Sequence, residues 1–183
     1  MSLSQIARSI KASPTLALNE KAAILREKGD PVIHLGGGEP KSRAPMDALL
    51  AAVNSINTGE VRYAPADGIP DLKKSIIRYT EEYYHRKVNP ENIIASSGAK
   101  QALMVALQAI LNPQEEVIFP VPYWVSYPDM IKLCGGIPVP APAEDGTFYP
   151  RLKDIEMRVG SYTKAVIINS PNNPSGAMYS KEF

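Results

Sequence analysis

The chain has 183 residues, of which 44% are hydrophobic and 21% charged, with Lys+Arg 20 against Asp+Glu 19. This balance excludes a disordered chain, a basic nucleic-acid arm and an acidic tail. The single cysteine, Cys134, excludes an intrachain disulfide and a paired-cysteine metal site. The 17 prolines beside 12 glycines describe an ordered chain cut into short elements by rigid turns.

The first fourteen residues hold Arg8 and Lys11 and no acid, and read as an N-terminal arm rather than a targeting segment. The most apolar stretch, Ala99 to Leu111, is interrupted by Lys100, Gln101 and Gln108 and falls short of the ~20 apolar residues of a spanning helix. The expectation is a soluble, cytoplasmic protein with no membrane or nucleic-acid partner. Helical spacing predicts helices over Thr15–Lys28, stopped by Gly29, from Pro45 with Met46, Leu49, Leu50 and Val53 on one face, and from Pro70 with Leu72, Ile76, Tyr79 and Tyr83 aligned. Pro31–Leu35 reads as a short extended run, and Asp67-Gly68 as a turn.

From Asn92 strands and helices alternate. Ile93–Ala95 is expected as a buried strand, followed by a helix to about Leu111 and a strand at Glu116–Phe119. A helix at Ser126–Cys134, a strand at Ile137–Val139, a helix at Leu152–Val159 and a strand at Ala165–Ile168 complete the pattern. Such alternation predicts an α/β fold with a mainly parallel sheet. The last strand runs into the loop Asn169–Gly176, where α/β sheets place ligands, and the chain stops soon after, so it reads as cut through a larger domain. Such a cut would leave a sheet edge and apolar faces uncovered.

Three strand-end segments carry the chemistry. Ser96-Ser97-Gly98-Ala99-Lys100 opens a helix, where free backbone N–H groups and the positive end of the dipole favour an anion; an ordinary serine-capped helix explains the same residues. Trp124, the sole tryptophan, follows a strand and suits either stacking on a flat ring or a place in the core. Asn172-Asn173-Pro174-Ser175-Gly176 offers amide side chains to a ligand, or forms a plain turn. Gly36-Gly37-Gly38 lacks dinucleotide spacing; His34 and His85 are too isolated for a metal site, and Cys134 reads as a small buried hydrophobe.

Taken in order, Gly38-Glu39-Pro40, Tyr63 before Ala64-Pro65, Gly68-Ile69-Pro70-Asp71-Leu72, Gly98–Leu103, Pro122–Pro128 and Asn169–Gly176 form a more specific pattern. In this order and spacing the chain resembles the class I aminotransferases, above all the bacterial aspartate and aspartate/prephenate enzymes. These are pyridoxal 5'-phosphate (PLP) proteins of fold type I, with a three-layer α/β/α large domain. The resemblance implies an arm and first small-domain segment over residues 1–44 and the first half of the large domain over 45–183. It implies that Gly98, Ala99 and Lys100 hold the cofactor phosphate, that Trp124 stacks on its ring, and that Asn173 bonds the ring hydroxyl and the substrate carboxylate. Gly38 would contact that carboxylate through its N–H. Tyr63 would reach the phosphate of a neighbouring subunit, which implies a homodimer. Lys100 and Lys11 match lysines tied to acidic substrates.

The expected reaction moves an amino group from aspartate or glutamate to a 2-oxo acid, prephenate among them. Lys41-Ser42-Arg43-Ala44 departs from the family's Asp-Phe-Asp-Thr at the substrate entrance, and Ser175 stands for the usual Thr. The Schiff-base lysine, the aspartate facing the ring nitrogen and the arginine for the α-carboxylate are expected beyond Phe183. The 183 residues are therefore expected to be inactive alone. Two other readings fit parts of the pattern: a non-catalytic aminotransferase-like module, and an unrelated α/β domain that binds phosphate through residues 96–100.

Overall fold

A computed structural model of the chain describes residues 2–10, 14–38, 42–60 and 62–183. Lys11, Glu39, Pro40 and Lys41, which figured in the sequence reading, lie outside the described residues. The chain divides into two compact units, residues 12–95 and residues 1–11 with 96–183.

The unit of residues 12–95 is helical. It contains α2 (Pro14–Glu27), α3 (Met46–Asn57), α4 (Pro70–Tyr84) and a 3₁₀ turn at Pro90–Asn92, after α1 (Gln5–Ser9) in the arm. The predicted boundaries hold because the punctuation is strong: Pro70 opens α4 at a position where its missing N–H costs nothing, and Gly29 ends α2 with φ +87°. The apolar stripe of α3 is exposed, with Leu50 at 53% and Ile56 at 69%. Ile93–Ala95 corrects the expectation of a buried strand. It pairs with none of the sheet's strands, Ile94 is exposed, and the Ala95 N–H donates to the Asp67 carbonyl instead. An apolar run without a partner strand cannot form a ladder.

The other unit carries the sheet. After α5 (Ala99–Ile110) come β1 (Glu116–Pro120), α6 (Ser126–Leu133), β2 (Ile137–Ala141), α7 (Leu152–Glu156) and β3 (Thr163–Val166). The three strands are parallel in the order β2-β1-β3, so β1 is central. Val117, Ile118 and Phe119 of β1 are 0–1% exposed, the continuous apolar run expected of a parallel strand covered on both faces. One face packs on Leu107 of α5, Leu111 at its C-cap, and Tyr127, Met130 and Ile131 of α6; the other, through Ile118, packs with Ala141 and Ile155.

β2 runs further than predicted, through both Pro138 and Pro140. Proline is tolerated there because β2 is an edge strand: Ile137 donates inward to the Glu115 carbonyl, so the alternate proline positions face away from β1 and no ladder donor is lost. β3 begins two residues earlier than expected and shifts register opposite Glu116/Val117. A bidentate Arg151–Asp154 pair anchors α7, and its hydrogen bonds hold the Asp154 carboxyl below the usual carboxylate range. Arg158 donates to the carbonyls of Asp154 and Pro140 and so ties α7 to β2. Cys134 is half-buried against the core, with its Sγ 3.9 Å from the Met104 sulfur, and burial pushes its thiol up.

Candidate active site

The loops leaving the C-terminal ends of β1 and β3, neighbours in the sheet, meet the N-terminus of α5 at one cleft. It has a volume of about 360 Å³ and is lined by Ala99, Leu103, Trp124, Tyr127, Asn169, Pro171 and Asn173. Clefts outside the carboxyl ends of parallel strands are where α/β sheets hold ligands.

The first wall is the start of α5. Gly98, not a serine, is its N-cap, at φ +93° and ψ 167°, and no side chain caps the helix. The serine-capped alternative is thereby excluded. The Gln101 side chain reaches back to accept the Ser97 N–H, and Ala102 donates to the Gly98 carbonyl. Among the described residues, nothing accepts from the N–H groups of Ala99, Lys100 and Gln101. An ideal Cβ on Gly98 would meet no atom within 4 Å, so the space in front of these donors is open. Three unpaired N–H groups at the positive end of a helix favour an anion with several acceptor oxygens.

The second wall is aromatic. Trp124 packs partly into the core, its ring 5.7 Å from and perpendicular to that of Tyr127, while it also lines the cleft. Trp124 therefore belongs in part to the core and in part to the cleft lining. The Lys100 ammonium stands 5.3 Å from the centroid of this ring, within cation–π range. Tyr127 is buried, which pushes its hydroxyl up.

The third wall is the loop after β3, where adjacent asparagines do different work. Asn172 is buried, and its amide donates to the Pro122 carbonyl at 3.0 Å and to the Ser175 hydroxyl at 2.8 Å. It therefore clamps the β3 loop onto the β1 loop that carries Trp124. Asn173 donates its backbone N–H to the Asn169 side chain at 3.0 Å, and among the described residues its own amide has no partner. Ser175 accepts from Asn172 and from the Ala177 N–H, so replacement of the family's threonine keeps the hydroxyl in use. Asn172→Ala would remove the part-buried bond to the Pro122 carbonyl and free the two loops from one another. It is expected to cost about 2 kcal/mol in a urea titration and to broaden the Trp124 emission.

Of the residues singled out from sequence, Gly98, Ala99, Lys100, Trp124 and Asn173 come together here. Gly38 and Tyr63 belong to the other unit, where Tyr63 is fully exposed at 106%. Sequence reasoning missed Asn172 and Asn169 as positioning groups and Tyr127 as a wall. The Asn-Asn pair was the available signal, but residue type alone cannot say which amide faces inward. The described residues contain no group of three or more His, Cys, Asp or Glu able to hold a metal ion. No helix among them is long and apolar enough to cross a membrane.

The chain is 40% identical over 183 residues to an aspartate aminotransferase of Bacillus subtilis, covering all of this chain and 47% of the relative. It is 41% identical over 174 residues to a probable aspartate/prephenate aminotransferase of Aquifex aeolicus, covering 94% of this chain and 44% of the relative. In structure it is similar to the aspartate aminotransferase of Thermus thermophilus solved with maleate, at a TM-score of 0.93 and 39% identity, covering 100% of this chain and 48% of that one. The chain thus spans about half the length of the relatives it matches. With residues 30–183 also matching the family described as aminotransferase class I and II, the chain belongs to that family.

Proposed function

We propose that the protein is a PLP-dependent aminotransferase acting between an amino acid, aspartate or glutamate, and a 2-oxo acid, with prephenate among its acceptors. The observation that carries the reading is the convergence of three independent loops on one cleft: open helix N–H donors, an aromatic ring that lines the cleft and an unpaired amide. These suit a flat heteroaromatic ring bearing a phosphate and a ring hydroxyl. The names of the relatives, aspartate and aspartate/prephenate aminotransferases, support the substrate class.

When bound, PLP supplies an electron sink for the carbanion formed at the substrate α-carbon. The chain's own residues bind and orient. The N–H groups of Ala99, Lys100 and Gln101 would hold the phosphate, with Gly98 giving it room. Trp124 would cover one face of the ring and exclude water from it. Asn173, held by Asn169, would aim its amide at the ring hydroxyl and the substrate carboxylate, with the Gly38 N–H as a second donor. Lys100 would lend positive charge toward an acidic substrate, as would Lys11.

The functional protein on this reading is a cytoplasmic homodimer in which Tyr63 serves the neighbouring subunit. Residues 1–44 form the arm and first small-domain segment, and residues 45–183 the first part of the large domain. The lysine that tethers the cofactor is expected outside these residues, so the 183-residue chain is expected to hold PLP without turning over. Titration with PLP, followed by quenching of the single tryptophan and competed by inorganic phosphate, tests the reading. Asn173→Ala is expected to weaken binding roughly tenfold, the loss of one hydrogen bond to a polar ring substituent in a partly dry cleft. Saturable binding that ignores both phosphate and Asn173→Ala would sink the proposal.

A further inference from the structure

Lys73 is buried at 8% exposure, an unusual place for a lysine, and its ammonium is paired with the Asp67 carboxylate. The pair closes one side of an apolar pocket of about 300 Å³ walled by Pro65, Pro70, Ile77 and Pro90. A buried ammonium persists only where a partner is held in place, so the pair must also hold its partner. What it holds is a turn. The Gly68 N–H donates to the Pro65 carbonyl at 3.0 Å, the Asp67 carbonyl accepts from Ala95 at 3.0 Å, and the Asp67 side chain reaches Lys73 on the first turn of α4. Gly68, at φ +106°, lies so close to Ala95 that a Cβ on it would come within 2.7 Å of the Ala95 Cβ. The turn is therefore fastened to α4 and to the 93–95 segment at once. Its upstream end leads within two residues to Tyr63, whose side chain stands free of its own chain.

We propose that Asp67 and Lys73 are a positioning pair that fixes the Pro65–Gly68 turn and so presents Tyr63 to the phosphate of PLP bound by a second copy of the chain. The proposal rests on the PLP reading above. Asp67 acts through Tyr63 and touches neither substrate nor cofactor. Its replacement by asparagine keeps the shape and removes the charge that Lys73 requires. Loss of the pair lets the turn swing, and the phosphate loses a pre-aimed hydroxyl rather than a contact of Asp67 itself.

The test is a cycle in the full gene product, with PLP and phosphate-free pyridoxal as probes. Tyr63→Phe is expected to weaken PLP about tenfold, as for a hydrogen bond to a charged group, and to leave pyridoxal unchanged. Asp67→Asn is expected to weaken PLP about threefold to tenfold, again without affecting pyridoxal, and to add nothing in the Tyr63→Phe background. Lys73→Arg, which keeps the pair, should bind PLP nearly as the wild type does. Undiminished PLP affinity in Asp67→Asn beside a weakened Tyr63→Phe would overturn the positioning role alone. A loss in Asp67→Asn that persists in the double variant, or that extends to pyridoxal, would mark it as merely structural. Unchanged affinity in Tyr63→Phe would remove the role of Tyr63 and the pair's role with it, and failure of the wild type to bind PLP would instead strike the underlying reading.

Discussion

Gly98→Ala is expected to lower PLP affinity between roughly tenfold and a hundredfold, with a far smaller effect on the stability of the sheet. The reason lies in the backbone. Gly98 sits at φ +93° and ψ 167°, a region that only glycine occupies without strain, and its surroundings would tolerate a methyl group. The substitution therefore produces no clash; it imposes a conformational cost of about 1–3 kcal/mol. The chain relieves that cost by rotating the residue ahead of α5. Rotation turns the Ala99 and Lys100 N–H groups out of line and brings a side chain into the anion's path. Each 1.4 kcal/mol transferred to binding is about tenfold in affinity. PLP titration beside thermal denaturation separates the two outcomes. An unchanged affinity with an unchanged midpoint would show that the helix start is not the phosphate cradle.

Phe119→Ala is expected to cost about 3–5 kcal/mol, the range for removing a fully buried aromatic ring. Phe119 is 1% exposed on the central strand, and its ring stands edge-on to Tyr123 at 4.7 Å and tilted to Tyr127 at 6.0 Å. Tyr127 in turn packs edge-on against Trp124 and lines the cleft, so the cavity left by the ring is one contact from the aromatic wall. A lower urea midpoint and a red-shifted emission from the single tryptophan should appear together. A loss of stability with unaltered emission would mean that the wall is braced from elsewhere.

Stability and site are thus joined through β1, and this join was only partly legible beforehand. The run Val117-Ile118-Phe119 announces a strand buried on both faces, because it is apolar without alternation. That it is central, with β2 and β3 on opposite sides, follows from the packing of α6 and α7, which no local pattern states. β2 extends past the expected Ile137–Val139 and takes in Pro140. Its prolines are compatible with an edge strand, since only the open side loses donors. Ile93–Ala95 shows the opposite failure. Its apolar character is real, yet a strand is a property of a pair, and no pairing partner is found for it among the described residues.

Composition, helix punctuation and the ordered motifs by themselves determined the α/β class, most helix boundaries and the family. These are local or sequential properties: proline at a first turn, glycine at a stop, spacing along the chain. The sequence also named Gly98, Ala99, Lys100, Trp124 and Asn173 as one set through the resemblance. Only the tertiary structure decided that Gly98 rather than a serine caps α5, that Asn172 clamps while Asn173 stays free, and that Asp67 secures Lys73. Each of these depends on which groups are left without a hydrogen-bond partner once remote loops meet, and that is settled by packing, not by residue type.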